Sequence, residues 1–101
     1  MPINPTDRGL LILTSLAESD KHGYALMQDI EAFAGVRLGP GSLYGALARL
    51  EEEGLVLALP PYDRRRPYRI TASGRSVLKD ELSAQASISR IGLGRLAGTK
   101  S

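Results

Sequence analysis

The sequence of 101 residues contains no cysteine and one histidine, His22. Disulfides, thiolate zinc sites and a cysteine nucleophile are therefore excluded. A multi-histidine metal site within one chain is excluded as well. Long apolar runs are also missing. The longest is Leu10 to Leu13, far short of the roughly 18 to 20 residues that span a bilayer. Residues 1–8 hold no apolar core of signal-peptide length, so the expected location is cytoplasmic. No nucleophile elbow, phosphate-cradling glycine motif or pair of carboxylates beside a base is present, and an enzyme is not expected. No cofactor is expected either.

What remains is an ordinary globular composition, 43% hydrophobic and 24% charged, in a length that suits one domain. The net charge of +2 hides a division. Residues 1–59 carry four basic and eight acidic side chains, and residues 60–101 carry nine basic and three acidic. A second half this basic points to an anionic partner.

The apolar spacing predicts four helices. Pro5-Thr6-Asp7 opens the first, which buries Leu10 to Leu13 and Leu16 and stops near Glu18 before Ser19-Asp20-Lys21-His22-Gly23. Tyr24, Leu26, Met27, Ile30 and Phe33 give the helical period of the second, ended by Gly35. Pro40 or Ser42 starts the third, with Leu43, Leu47 and Leu50 inward and Gly54 after its end. Leu55 to Leu59 and Arg69 to Thr71 read as two strands joined by a basic, proline-flanked hairpin. Thr71 caps a last helix, expected over residues 72–91, with a frayed tail from Gly92 onward.

Helix, helix, helix, hairpin, long helix is the order of a winged helix-turn-helix, an α+β fold that is mostly α. The expected division is a DNA-binding domain over 1–71, a dimerisation helix over 72–92 and a flexible tail over 93–101. In such a fold the third helix, 40–53, lies in the major groove. Gly41, Ser42 and Gly45 give it a small leading end, while Tyr44 and Arg49 lie on exposed positions. Arg64, Arg65 and Arg66 at the hairpin tip, with Arg69 nearby and Tyr62 and Tyr68 bracketing them, would meet phosphates or enter the minor groove. His22 reads as a structural or phosphate-contacting group, and Glu51-Glu52-Glu53 as a solvated helix end.

Three stretches carry a family resemblance. His22-Gly23-Tyr24-Ala25-Leu26-Met27-Gln28-Asp29-Ile30 resembles the second helix of the PadR-family transcriptional regulators. Residues Gly39 to Val56 resemble that family's recognition helix and its exit, and Tyr68 to Arg75 its second wing strand running into the last helix. The resemblance implies a dimeric repressor of double-stranded DNA, with His22, Tyr24, Ser42, Tyr44 and Arg64 to Arg66 at its DNA face. The single long C-terminal helix is similar to the family's smaller subgroup. Members of that subgroup can bind flat hydrophobic drugs between aromatic side chains. This chain has no tryptophan and one phenylalanine, so a small-molecule effector is left unspecified.

Val77, Leu78, Leu82, Ile88 and Ile91 are the expected homodimer contacts, because the last helix outruns the small core. The expected target is an inverted-repeat operator. The competing reading is a winged-helix adaptor whose arginines meet an acidic protein.

Overall fold

The computed structural model describes residues 7–98. The chain forms α1 (Arg8–Glu18), β1 (Lys21–His22), α2 (Gly23–Ala34), α3 (Pro40–Glu52), β2 (Val56–Ala58), β3 (Pro67–Ile70) and α4 (Ala72–Gly98). Asp7 caps α1, its Oδ1 accepting from the Leu10 N–H at 3.0 Å. The expected contribution of Pro5 and Thr6 lies outside the described residues.

Helix α1 is the centre of the molecule. It packs against α2, α3, α4 and β3, and Leu10 to Leu13, Ser15 and Leu16 are all buried. A helix apolar nearly all round has to be enclosed, and the four-residue apolar run is the reason. Ser15 is the polar exception, and its hydroxyl donates to Asp29 Oδ2 at 2.6 Å. Lys21 then ties β1 to the end of α1. Its Nζ donates to the Ser15 carbonyl and pairs with Glu18 at 2.9 Å.

The sheet has three strands, in the order β1-β3-β2, not the two of a bare wing. Lys21 and His22 lie antiparallel to Tyr68 and Pro67, and Val56 to Ala58 pair with Ile70 to Tyr68. A two-residue strand leaves no periodic signal in sequence, and its partner here is 45 or more residues away. Pro67 opens β3, a strand position where a missing N–H costs no ladder bond.

Alternation along β3 corrects one expected surface residue. Tyr68 and Ile70 face the core while Arg69 faces solvent, so Tyr68 is a core residue and not a phosphate contact. Its burial, with Tyr44 and Glu51 nearby, pushes its phenol above the usual tyrosine range. Phe33, the last residue of the helical period of α2, faces outward. It is 47% exposed at the end of α2, because Leu26 and Ile30 already fill that helix's buried face.

Thr71 caps α4 as expected. Its Oγ1 accepts from Gly74 N–H at 3.0 Å and donates to the Gly54 carbonyl at 2.7 Å. Gly74 is required there, since a Cβ would collide with the Leu55 carbonyl and lie 2.8 Å from Ile70 Cγ1. The helix does not end near Ile91. It continues through Gly92 and Gly94 to Gly98. Glycine weakens a helix by about 1 kcal/mol but does not block it as proline does, and no proline follows Pro67. Residues 93–98 of the expected tail are thus helical, and 99–101 lie outside the described residues.

Leu78 is buried in the chain's own core, so it is not available to a partner. Val77 is half-buried, and Leu82, Ile88, Ile91, Leu93 and Leu96 are exposed. At 1.5 Å per residue α4 is about 40 Å long, and it leaves the body after its first turns. Among the described residues no helix is long and apolar enough to cross a membrane.

Candidate nucleic-acid interface

Helix α3 begins with Pro40 in its first turn. Its cap residue, Gly39, has no side chain to bond the first amides. Those N–H groups therefore remain open to an anion. Leu43, Leu47 and Leu50 are buried. At 100° per residue, the opposite side of the helix carries Gly41, Gly45 and Ala48. Nothing lies within 4 Å of the position a Cβ would take at Gly41 or Gly45. The ridge is thus low and unobstructed.

Two flanks border the ridge. On one, Tyr44 is 48% exposed and lies over Gly23. A Cβ at Gly23 would collide with the Tyr44 hydroxyl and lie 2.8 Å from its Cζ. The glycine of His22-Gly23-Tyr24 therefore makes room for Tyr44. Tyr24 itself is 61% exposed, its hydroxyl accepting from Gln28 Nε2 at 3.1 Å. On the other flank, Ser42, Ala46, Arg49 and the start of α1 border an open groove of about 510 Å³. Arg8 belongs to this flank. Sequence reading passed over it because a lone arginine at a helix start gives no pattern.

The hairpin tip is a tight two-residue turn. Tyr62 and Arg65 exchange both backbone hydrogen bonds, at 2.7 and 2.9 Å. Asp63 and Arg64 lie between them with φ of 52° and 65°. This is a type I′ turn, whose second position ordinarily takes glycine. Arginine there costs about 1 to 2 kcal/mol of backbone strain.

The wing arginines are not equivalent. Arg64 has no hydrogen bond or ion pair among the described residues. Arg66 Nη1 donates to the Leu59 carbonyl at 3.0 Å and fastens the hairpin. Arg69 is removed from the expected cationic edge. It forks onto Asp20 at 2.8 to 3.2 Å, and its hydrogen bonds hold the Asp20 carboxyl below the usual range.

Arg65 Nη1 lies 3.2 Å from His22 Nε2. His22 also caps α2, Nδ1 accepting from Ala25 N–H at 3.3 Å. A neutral imidazole has one N–H and one acceptor. With Nδ1 accepting, the ring proton is on Nε2, where it opposes the Arg65 donor. The ring can serve the cap or Arg65 but not both, so Arg65 is only loosely held. His22→Asn keeps a capping oxygen and shortens the side chain, so thermal stability should match or exceed the parent's, whereas His22→Ala should lose about 1 kcal/mol. Equal losses in both variants, by thermal melting, would show that capping is not what His22 supplies.

The expected site residues therefore fall into three groups. Gly41, Ser42, Tyr44, Gly45, Arg49, Tyr24, His22 and the tip arginines Arg64 and Arg65 lie on or beside the α3 ridge and wing. Arg66 is a hairpin clip, and Tyr68 is core. Among the described residues no cluster of three or more His, Asp or Glu is arranged to hold a metal ion.

The comparisons agree with this architecture. Residues 12–80 match the transcriptional regulator PadR-like family. The chain is 48% identical over 83 residues to an uncharacterized 37.1 kDa protein in transposon TN4556 of Streptomyces fradiae, of whose length it spans only 24%. It is 36% identical over 88 residues to the transcriptional regulator Rv3488 of Mycobacterium tuberculosis, covering 84% of this chain and 81% of that one. The fold matches a PadR family transcription regulator from Clostridium difficile R20291 with a TM-score of 0.79 at 22% identity, covering 88% of this chain and 97% of that one. With a family match over most of its length and the helix-turn-helix, wing and long last helix in place, the chain belongs to the PadR-like family of transcriptional regulators.

Proposed function

We propose that the protein is a sequence-specific repressor that binds an inverted-repeat operator as a homodimer. The observation that carries this is the open Gly41-Gly45-Ala48 ridge of α3, with Tyr44 on one flank and Arg8 and Arg49 on the other. Small residues let the helix backbone approach base edges. Ser42 can bond a base edge or a phosphate, and Tyr44 and Tyr24 can donate to phosphates. Arg8 and Arg49 serve the phosphates on the α1 side, and Arg64 and Arg65 those on the wing side. In the tautomer that caps α2, His22 adds an Nε2–H that can donate to a phosphate.

The dimer follows from α4. Leu82, Ile88, Ile91, Leu93 and Leu96 expose apolar surface on a helix beyond the reach of the core, and a second copy is the simplest cover. A two-fold dimer would place two α3 helices about 34 Å apart on one face of the duplex.

Titration of fluorescent duplex across a salt series tests the reading. Binding should weaken steeply with salt. Tyr44→Ala should lower DNA affinity by roughly 1 to 3 kcal/mol with little change in melting temperature. Absence of salt-dependent duplex binding would favour the adaptor reading instead.

A further inference from the structure

Two hydrogen-bond donors meet between the wing and the start of α2 with no acceptor to share. His22 is half-buried and Arg65 is exposed, and Arg65 Nη1 lies 3.2 Å from His22 Nε2. Their backbones are fixed independently. Lys21 and His22 pair with Tyr68 and Pro67, and Arg65 closes the hairpin turn through both of its backbone bonds with Tyr62. The fold brings the two side chains together.

When His22 Nδ1 accepts from the Ala25 N–H, Nε2 carries the ring proton and points it at the guanidinium. When Nε2 accepts from Arg65, the proton is on Nδ1, facing the Ala25 N–H, and the cap is lost. Each neutral form leaves one donor against another. The carboxylates of the neighbouring segments do not relieve this. Asp20 is forked by Arg69, and Glu18 and Asp29 are paired with Lys21. Among the described residues no carboxylate forms an ion pair with Arg65. An anionic oxygen relieves the conflict. Charge-assisted N–H···O bonds are about 2.7 to 2.9 Å long, and an oxygen can lie at that distance from both nitrogens with neither one moved. The ring then holds its proton on Nε2 while Nδ1 keeps the cap.

We infer that His22 Nε2–H and Arg65 form one composite site for a single backbone phosphate of duplex DNA, joining the wing to the start of α2. This rests on the DNA-binding reading above but is stricter, because that reading leaves the two side chains free to hold separate phosphates. A phosphodiester of the duplex is favoured over a free anion by the neighbourhood. Tyr44 of α3 lies over Gly23, the residue after His22, so the site borders the α3 ridge. The backbone of a duplex seated on that ridge runs along its border. A contact of this kind positions the protein on the duplex and carries no sequence preference.

His22 is the one histidine of the chain, so nitrogen NMR of the imidazole ring in the isotope-labelled full chain reads the site without ambiguity. Above about pH 8, where an ordinary imidazole is neutral, adding duplex should move the ring signals to those of an Nε2-protonated form with Nδ1 accepting. In duplex titrations, His22→Asn, which keeps a capping oxygen, and Arg65→Ala should each weaken binding by about tenfold. Because both losses fall on one phosphate, the double variant should be weakened by no more than about thirtyfold, short of the roughly hundredfold of independent contacts. Losses that multiply, or a ring that is Nδ1-protonated or unmoved in the complex, would overturn the shared site and leave the DNA-binding reading standing. The same ring signals with inorganic phosphate alone, at the same phosphate concentration, would make it a free-anion site and overturn the backbone assignment. A parent chain without salt-dependent duplex binding would overturn both readings.

Discussion

A chain carrying Leu82→Asp and Ile88→Asp should sediment as a monomer and lose operator affinity by about 10²- to 10⁴-fold. That is the factor by which two linked binding events exceed one. Both side chains are exposed on the single chain, so the charges disturb no core of their own protomer. Helix content should persist, and the half-site affinity of one α3 and one wing should remain measurable at low salt. The loss is therefore one of assembly. Operator affinity that survives the double substitution would mean either that the dimer forms elsewhere or that one protomer suffices.

The second large effect belongs to the wing. Removing Arg64 and Arg65 together should reduce the log–log salt slope of a dimer by about 3.6, four phosphates at about 0.9 each. Arg66→Ala should behave differently. Its guanidinium fastens the hairpin through the Leu59 carbonyl, so its loss should loosen the wing and change the slope less. Arg64→Gly is the instructive companion. Glycine relieves the left-handed strain at φ 65°, so this variant should be as stable as the parent or more so while still losing the contact. A slope unchanged by the Arg64 and Arg65 double substitution would make the tip a merely solvated edge.

Most of the helices and the α3 face were legible because they follow local rules. Leu43, Leu47 and Leu50 announce a buried stripe, and Gly35, Gly54 and Thr71 mark ends that need special backbone or a cap. What was not legible depends on distant chain. Lys21 and His22 form a strand only because β3 offers them an edge. Arg69 looked like its three neighbours until Asp20 came beside it. Tyr68 read as a bracket of the arginine run, yet strand alternation turns it inward. Phe33 fitted the helical period of α2, but Leu26 and Ile30 had filled the space. The glycines of α4 suggested fraying, and the helix accommodates them to Gly98. At the candidate interface, sequence marked the residue types, while the different settings of Arg65 and Arg66 came from their partners in the fold.

The ridge of α3 is proposed to read operator DNA in two symmetric copies. Selection of bound duplexes from a random pool tests it most directly. The expected outcome is enrichment of an inverted repeat whose half-site centres lie about one helical turn, near 34 Å, or a multiple of that apart. Recovery of a direct repeat, of a single half-site, or of no sequence above the starting pool would contradict it.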